Sequence, residues 1–251
     1  MLSASRIKLI RSLSLKKFRK QYGLFIAEGD KTVKELPASD LEITEILALP
    51  QWIENNTIPA TIPITPISPK ELQRISALST PNQAVAMVKI PDHDFKKVEP
   101  AKNLVLILDN IQDPGNLGTI IRTADWFGIM DVICSPETAD IYNPKVIQAT
   151  MGSFARVKVY YNDPRSVLQR LPQGTPVLGA TLQGKSIHKT NLPSRGILIT
   201  GNESKGISKE LYPFITDEIF IPGKSGNKGA DSLNAAVATG IILSAIIANR
   251  G

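Results

Sequence analysis

The chain has 251 residues, 42% of them hydrophobic and 21% charged, with a net charge of +6 and a pI near 9.3. That length supports one large domain or two small ones with a substantial core, and the composition excludes a disordered chain. One cysteine, Cys134, excludes an intramolecular disulfide and a Cys-rich zinc site, and His93 and His188 lack metal-ligand spacing.

In chain order, residues from about 3 to 20 predict a basic helix. Arg6, Lys8, Arg11, Lys16, Lys17, Arg19 and Lys20 all precede the first acid, Glu28. Cations this dense at one end suit a polyanionic partner with phosphate groups, the alternative being a solvated helix face. No apolar run of signal-peptide type follows them. Leu24–Ala27 predicts a strand, Lys31–Leu36 a helix, Glu42–Ala48 a strand, and the prolines of 57–69 an extended stretch. Ser68 predicts a capped helix, with Pro69 first and Glu71 three residues after the cap. Gln83–Val88 predicts a strand. These elements form a small α/β domain over 1–95, followed by a polar, Pro-marked linker at 96–102.

From 103 to 251 strands and helices alternate, which predicts an α/β domain with a parallel, helix-covered sheet. The predicted strands are Asn103–Leu108, Asp131–Cys134, Ala155–Tyr160, Pro176–Ala180, Gly196–Thr200 and Asp217–Ile221. The predicted helices are Gly118–Phe127, Pro144–Thr150, Pro164–Leu171, Ser208–Tyr212 and an apolar terminal helix, Ala235–Ala248. The last is short for a membrane span and is interrupted by Thr239, Gly240 and Ser244, so no membrane partner is expected. The expected setting is soluble, reducing and cytoplasmic.

Three clusters punctuate this second part. Asn116-Leu-Gly118 leads to Arg122 on an otherwise apolar helix. The guanidinium needs a partner, either a structural carboxylate (Asp109, Asp113 or Asp125) or a ligand. Gly201-Asn-Glu203 with Gly206 follows an apolar strand, and reads as a helix-capping turn or as a close backbone approach to a ligand. Ser232-Leu-Asn234 heads the terminal helix, where Ser232 serves as N-cap and the Asn234 amide must find partners. No dinucleotide G-x-G-x-x-G or phosphate loop accompanies them, which disfavours a nicotinamide oxidoreductase.

Together, Asn116-x-Gly118 with Arg122, Gly201-Asn-Glu203 with Gly206, and Ile221-Pro222 followed by Ser232-Leu-Asn234 resemble the three ordered motifs of the SpoU (TrmH) RNA ribose 2′-O-methyltransferases of the SPOUT superfamily. Phe25-Ile-Ala-Glu-Gly29 and Leu78-Ser-Thr-Pro-Asn-Gln83 are similar to the ribosomal-protein-like substrate-binding domain of the ribosomal-RNA members. The resemblance spans nearly the whole chain. It implies a trefoil knot in the C-terminal domain, a homodimer joined partly by the terminal helix, S-adenosylmethionine as methyl donor and no metal. It places the cofactor against the backbones of Gly201, Ile221 and Leu233, with Thr181 and Leu182 beside them. It makes Asn116, Arg122, Glu203, Ser232 and Asn234 the polar site residues.

The implied substrate is ribosomal RNA, with transfer RNA as the same-class alternative and a non-catalytic RNA-binding protein as the different-class one. Family proposals make Arg122 the base. A guanidinium, which gives up its proton only far above neutral pH, is a poor one. The reading preferred here has Arg122 hold a neighbouring phosphate and favour the developing alkoxide, oriented by Asn116 and Glu203. The loop Gly223–Asp231 departs from the family in being longer and richer in Gly and Lys. It reads as a basic flap over RNA or as a tolerated insertion.

Overall fold

The computed structural model describes residues 1–223 and 231–248, so the Gly/Lys-rich loop lies largely outside the described residues. The chain divides into two compact units, one of Met1–Asp92 with Asp140–Arg156, the other of His93–Ala139 with the chain from Val157 onward.

In the first unit the basic segment forms two helices rather than one, α1 (Ala4–Ser12) and α2 (Lys16–Tyr22). Leu13 turns into the core with Ile7 and Ile10 at the break. The carbonyls of Leu13 and Ser14, left without helical partners, accept from Arg19 Nη1 at 2.9 and 2.8 Å. Gly23, at φ +64°, closes α2 in the left-handed conformation that glycine adopts without strain. There follow β1 (Leu24–Glu28), α3 (Asp30–Glu35), β2 (Ile43–Ala48), α4 (Pro50–Glu54), β3 (Ile64–Pro66), α5 (Pro69–Ile75) and β4 (Ala84–Lys89).

The sheet order is β1-β4-β2-β3, with β4 antiparallel to both neighbours and β3 parallel to β2. Helix α5 carries the predicted capping box. The backbone N–H groups of Ser68 and Leu2, then the Ser68 hydroxyl, hold the Glu71 carboxyl down at about 2. Glu28 accepts from the Ser76 hydroxyl (2.5 Å) and Ala77 N (2.9 Å), anchoring the entry to Leu78–Gln83.

In the second unit the predicted linker is partly core. Phe95–Lys97 forms a 3-10 turn, and Phe95 and Val98 pack on the apolar cluster of this unit. Next come β5 (Leu104–Leu108), α6 (Pro114–Trp126) and β6 (Asp131–Cys134). Helix α6 starts four residues before the predicted Gly118, because Asp113 caps it by accepting from Asn116 N at 2.8 Å and Pro114 fits its first position. Burial pushes the Cys134 thiol up, so it stays a neutral core side chain.

Helix α7 (Pro144–Thr150) belongs to the first unit, although the sequence groups it with residues 103–251. Arg19 Nη2 reaches Asp140 Oδ2 at 2.6 Å, and the Phe25 ring lies 4.6 Å from Tyr142 and 5.8 Å from Phe154. These contacts hold Asp140–Arg156 there.

The rest comprises β7 (Lys158–Tyr161), α8 (Pro164–Leu168), β8 (Val177–Ser186), β9 (Gly196–Thr200), β10 (Asp217–Phe220) and α9 (Ala235–Ala248). The helix predicted at 208–212 is a 3-10 helix, Lys209–Phe214, and the strand predicted from Ala155 starts at Lys158, because Ala155 ends a 3-10 turn, Ser153–Ala155. The six strands run in the order β10-β8-β9-β5-β6-β7, and every pairing is parallel. Central β5 and β9 are buried along their whole length, as expected of strands covered on both faces. From β5 the chain builds outward through β6 and β7, then crosses to build the other side. The switch point is therefore the crevice at the carboxyl ends of β5 and β9, where open α/β sheets bind ligands.

Candidate active site

At that crevice the ends of two strands meet the starts of two long helices. Asn116 lies in the first turn of α6, not ahead of the helix as the sequence suggests. Its Nδ2 donates to Glu203 Oε1 at 2.5 Å, and its Oδ1 accepts from Asn234 Nδ2 at 2.8 Å. Asn234 Oδ1 in turn accepts from Ala236 N (2.9 Å) and Val237 N (3.2 Å). A carboxylate accepts only, so Glu203 fixes the orientation of both amides. Every donor in the chain, from the first turn of α9 to Glu203, points toward the carboxylate. The positive end of α9 thus stands behind a line of aligned dipoles ending on a negative charge. Asn234, rather than Ser232, is the N-cap of α9. Ser232 is exposed, two residues upstream.

The Gly201–Gly206 segment is not a helix-capping turn. Asn202 and Gly206 exchange backbone hydrogen bonds at 3.0 and 2.9 Å, which closes it as a small loop. Gly201 is required there because a Cβ would stand 2.3 Å from the Gly206 carbonyl. The close approach is thus made first by the chain itself. Three residues overlooked as site residues hold this loop. The Asn202 amide donates to the Asn110 carbonyl at 2.9 Å, while its oxygen accepts from Ser204 N and Lys205 N. Asp109, buried at the end of β5, accepts from Ser208 N at 2.7 Å. Asn110 has φ +61°. A polar Asp-Asn pair directly after an apolar strand, with Asn tolerant of positive φ, is the signal that could have found them.

Arg122 stands apart. It is exposed, and among the described residues it makes no ion pair or hydrogen bond. Asp109, a candidate partner in the sequence, is taken by Ser208 and Asp113 by the α6 cap. Asn116 and Glu203 do not orient Arg122 within one chain. Six residues on a helix turn it about 240° around the axis and carry it about 9 Å along, off the face of Asn116.

Of the residues expected to hold a cofactor, Gly201 follows β9, Thr181 and Leu182 lie on β8, Ile221 lies just past β10 and Leu233 just ahead of α9. On β8, Gly179 pairs with Glu218 but Lys185 with Ile219, so residues 180–184 project from the sheet without partners on β10. Thr181 and Leu182 therefore lie inside this excursion rather than after a strand. Gly184 lets the chain return, since a Cβ there would sit 2.3 Å from the Glu218 backbone. Leu182 is 71% exposed and Leu233 47%, with Ile221 half-buried just past β10. Large apolar side chains left in water beside a crevice suit a planar, largely apolar ligand such as an adenine ring. Among the described residues, no group of three or more His, Cys, Asp or Glu could hold a metal ion, and no helix is long and apolar enough to cross a membrane.

The predicted RNA contacts separate into two kinds. Lys8, Arg11, Lys16, Lys17 and Lys20 are exposed, and Arg6 is bonded to Glu45. Arg19 is 2% exposed and is used up by Asp140 and two carbonyls, so it is a structural residue and not a phosphate contact.

Known proteins with the same features are consistent along the chain. A profile described as the SpoU rRNA Methylase family matches residues 103–244, and one described as the MRM3-like substrate binding domain matches residues 4–86. The 23S rRNA (guanosine(2553)-2′-O)-methyltransferase RlmP of Bacillus subtilis is 30% identical over 240 residues, covering 95% of this chain and 94% of that protein. A TrmH-family RNA methyltransferase structure from Porphyromonas gingivalis superposes with a TM-score of 0.88 at 37% identity, covering 98% of each chain. An AdoMet-bound rRNA methyltransferase from Sinorhizobium meliloti gives a TM-score of 0.84 at 29% identity, covering 98% of this chain and 96% of that one.

Proposed function

Because the chain belongs to the SpoU rRNA Methylase family, we propose that it transfers a methyl group from S-adenosylmethionine to a ribose 2′-hydroxyl of ribosomal RNA. The observation that carries this reading is the Asn234–Asn116–Glu203 chain at the strand switch point. S-adenosylmethionine supplies an electrophilic methyl group whose sulfur departs as a neutral thioether. The protein's tasks are then to align the 2′-oxygen with that methyl and to favour loss of the hydroxyl proton. Leu182, Leu233, Thr181 and the backbones of Gly201 and Ile221 hold the cofactor. The amide chain keeps the pocket wall rigid, with Ser232 at its rim. Arg122 binds the neighbouring phosphate and stabilises negative charge on the 2′-oxygen as the proton leaves.

The active form in this proposal is a homodimer. Between α6 and α9 lies a groove of about 590 Å³, lined by Thr119, Thr123, Val237, Gly240 and Ile241. Val237 and Ile241 are exposed there, and Trp126, one turn beyond Thr123, is 85% exposed. Arg122 borders the same face through Thr119 and Thr123. A second copy seated on this groove would cover the apolar side chains and bring acceptors to Arg122, whose side chain has none among the described residues of one chain. A monomer in sedimentation at micromolar concentration would remove this part.

The proposal also includes a knotted C-terminus. The chain passes from β9 across β8 to β10, then returns so that Thr239 of α9 meets Thr200 at the end of β9 (3.2 Å). A single buried cysteine fits a reducing, cytoplasmic setting.

The test is ribose-methylation mapping of total RNA with and without the gene. One lost 2′-O-methyl site in ribosomal RNA is the expected result. A lost site in transfer RNA would transfer the reading to that class, and no lost site would sink it.

A further inference from the structure

The polar site and the apolar groove are absorbed by the reading above. An exposed aromatic feature on α2 is not. Leu15, Phe18 and Tyr22 recur at i, i+3 and i+7 and so share one face of this short helix. That face is not core. Leu15 is 55% exposed, Tyr22 is 43% exposed and Phe18 is half-buried. The Phe18 and Tyr22 rings are near-parallel, 15° apart with centroids at 6.3 Å, and Lys17 Nζ lies 4.9 Å from the Phe18 centroid. Lys16, Lys17 and Lys20 are exposed on the same helix, and neither α1 nor α2 contains an acidic residue.

Two bland readings account for less. An aromatic pair four residues apart adds only slightly to the stability of a helix and needs no outward-facing ring. A solvated basic face needs no aromatic at all. The helix is also held more firmly than seven surface residues require. Arg19 binds Asp140 and the Leu13 and Ser14 carbonyls, and Gly23 N bonds back to Arg19 O at 2.8 Å. A stiff helix that presents a ring edged by lysines matches what single-stranded nucleic acid requires: a π-face for a base and cations for the flanking phosphates.

We infer that the Phe18–Tyr22 face of α2 is a stacking platform for an unpaired base of the RNA substrate, with Lys17 and Lys20 on the adjoining phosphates. The inference rests on the RNA reading above and deepens it, because it names unpaired rather than helical RNA as what the first unit binds. Double-stranded RNA hides its base faces and would meet only the lysines.

The test measures affinity of the full chain for a short, labelled, non-self-complementary RNA strand and for the same strand paired with its complement, each across a range of salt concentrations. Tyr22→Ala is expected to weaken single-strand binding about tenfold, within the range for losing one base–aromatic stack, and to leave the salt slope and duplex affinity unchanged. Tyr22→Phe keeps the ring and is expected to bind as the parent does. Lys17→Ala is expected to lower the magnitude of the salt slope by about one for both probes. Unchanged thermal transitions show that the variants fold.

Three results would overturn the platform. Tyr22→Ala could bind the single strand as tightly as the parent, or lose both probes equally. It could also abolish a self-association of the parent protein while RNA affinity holds, which would make this face a protein contact. Any of these, alongside a 2′-O-methyl site that is lost without the gene, removes the platform alone. Intact stacking with no gene-dependent site removes the methyltransferase reading alone.

Discussion

Helices α2 and α6 each carry one arginine that the sequence singles out, and the two are treated in opposite ways. On α2, Arg19 stands in a row of cations and reads as one more phosphate contact. It is buried, donates from Nε and Nη2 to Asp140 Oδ2 and is bonded to two carbonyls. On α6, Arg122 stands on an apolar helix and reads as needing a partner, either a carboxylate of the chain or a ligand. It is exposed, with none among the described residues. A guanidinium has five donors in a fixed fork, so one group can close a chain break in a core or wait for phosphate at a surface. Which it does depends on the acceptors that the fold brings to it, not on the helix that bears it.

The contrast can be broken most directly at Arg19. Arg19→Ala leaves the Asp140 carboxylate and the Leu13 and Ser14 carbonyls unpaired in a buried setting. A loss of about 3–5 kcal/mol in urea unfolding is expected. A loss below about 1 kcal/mol would show that Arg19 is not the structural one of the pair.

Arg122 should behave in reverse. Arg122→Lys keeps the charge and discards the fork, and is expected to lower kcat/KM for methyl transfer about 100-fold with an unchanged melting temperature. If rate and RNA affinity both stay at parental values, the fork has no essential role.

A smaller and sharper test lies at Asn234, which joins stability to the site. Asn234→Ala removes the α9 cap and should cost about 1 kcal/mol of stability. Asn234→Asp keeps an oxygen for Ala236 N and Val237 N but cannot donate to Asn116. Parental stability with slower methyl transfer is expected of it. Parental rates would mean that the amide chain is a cap and nothing more.

Much of the second unit was legible because its signals are local. Apolar runs such as Leu104–Leu108 and Gly196–Thr200 mark buried parallel strands, and the Asp or Gly after each marks the strand end. The capping box at Ser68 and Glu71 read correctly for the same reason, since its partners are three residues apart. Ser232 was misjudged as the cap of α9 because Ser and Asn are near-equal N-caps, and only the backbone path chooses between them. The break between α1 and α2 was not legible either. Neither proline nor glycine marks it, and its carbonyls are satisfied by a side chain several residues on.

By itself the sequence determined which segments are strands and helices and where polar groups interrupt them. Its three ordered motifs also pointed to the family to which the chain belongs. The strands, helices and polar interruptions follow from periodicity, turn chemistry and spacing over a few residues, and the family from the likeness of the motifs. Tertiary structure alone decided the rest, because the partners are distant in sequence: Asn116 with Glu203 87 residues away, Asn234 with Asn116 118 away, Arg19 with Asp140 121 away. A hydrogen-bonding group commits to whichever complementary atom the packed backbone brings within about 3 Å. For Arg19 that atom was a buried carboxylate, and for the Arg122 side chain the described residues supply none.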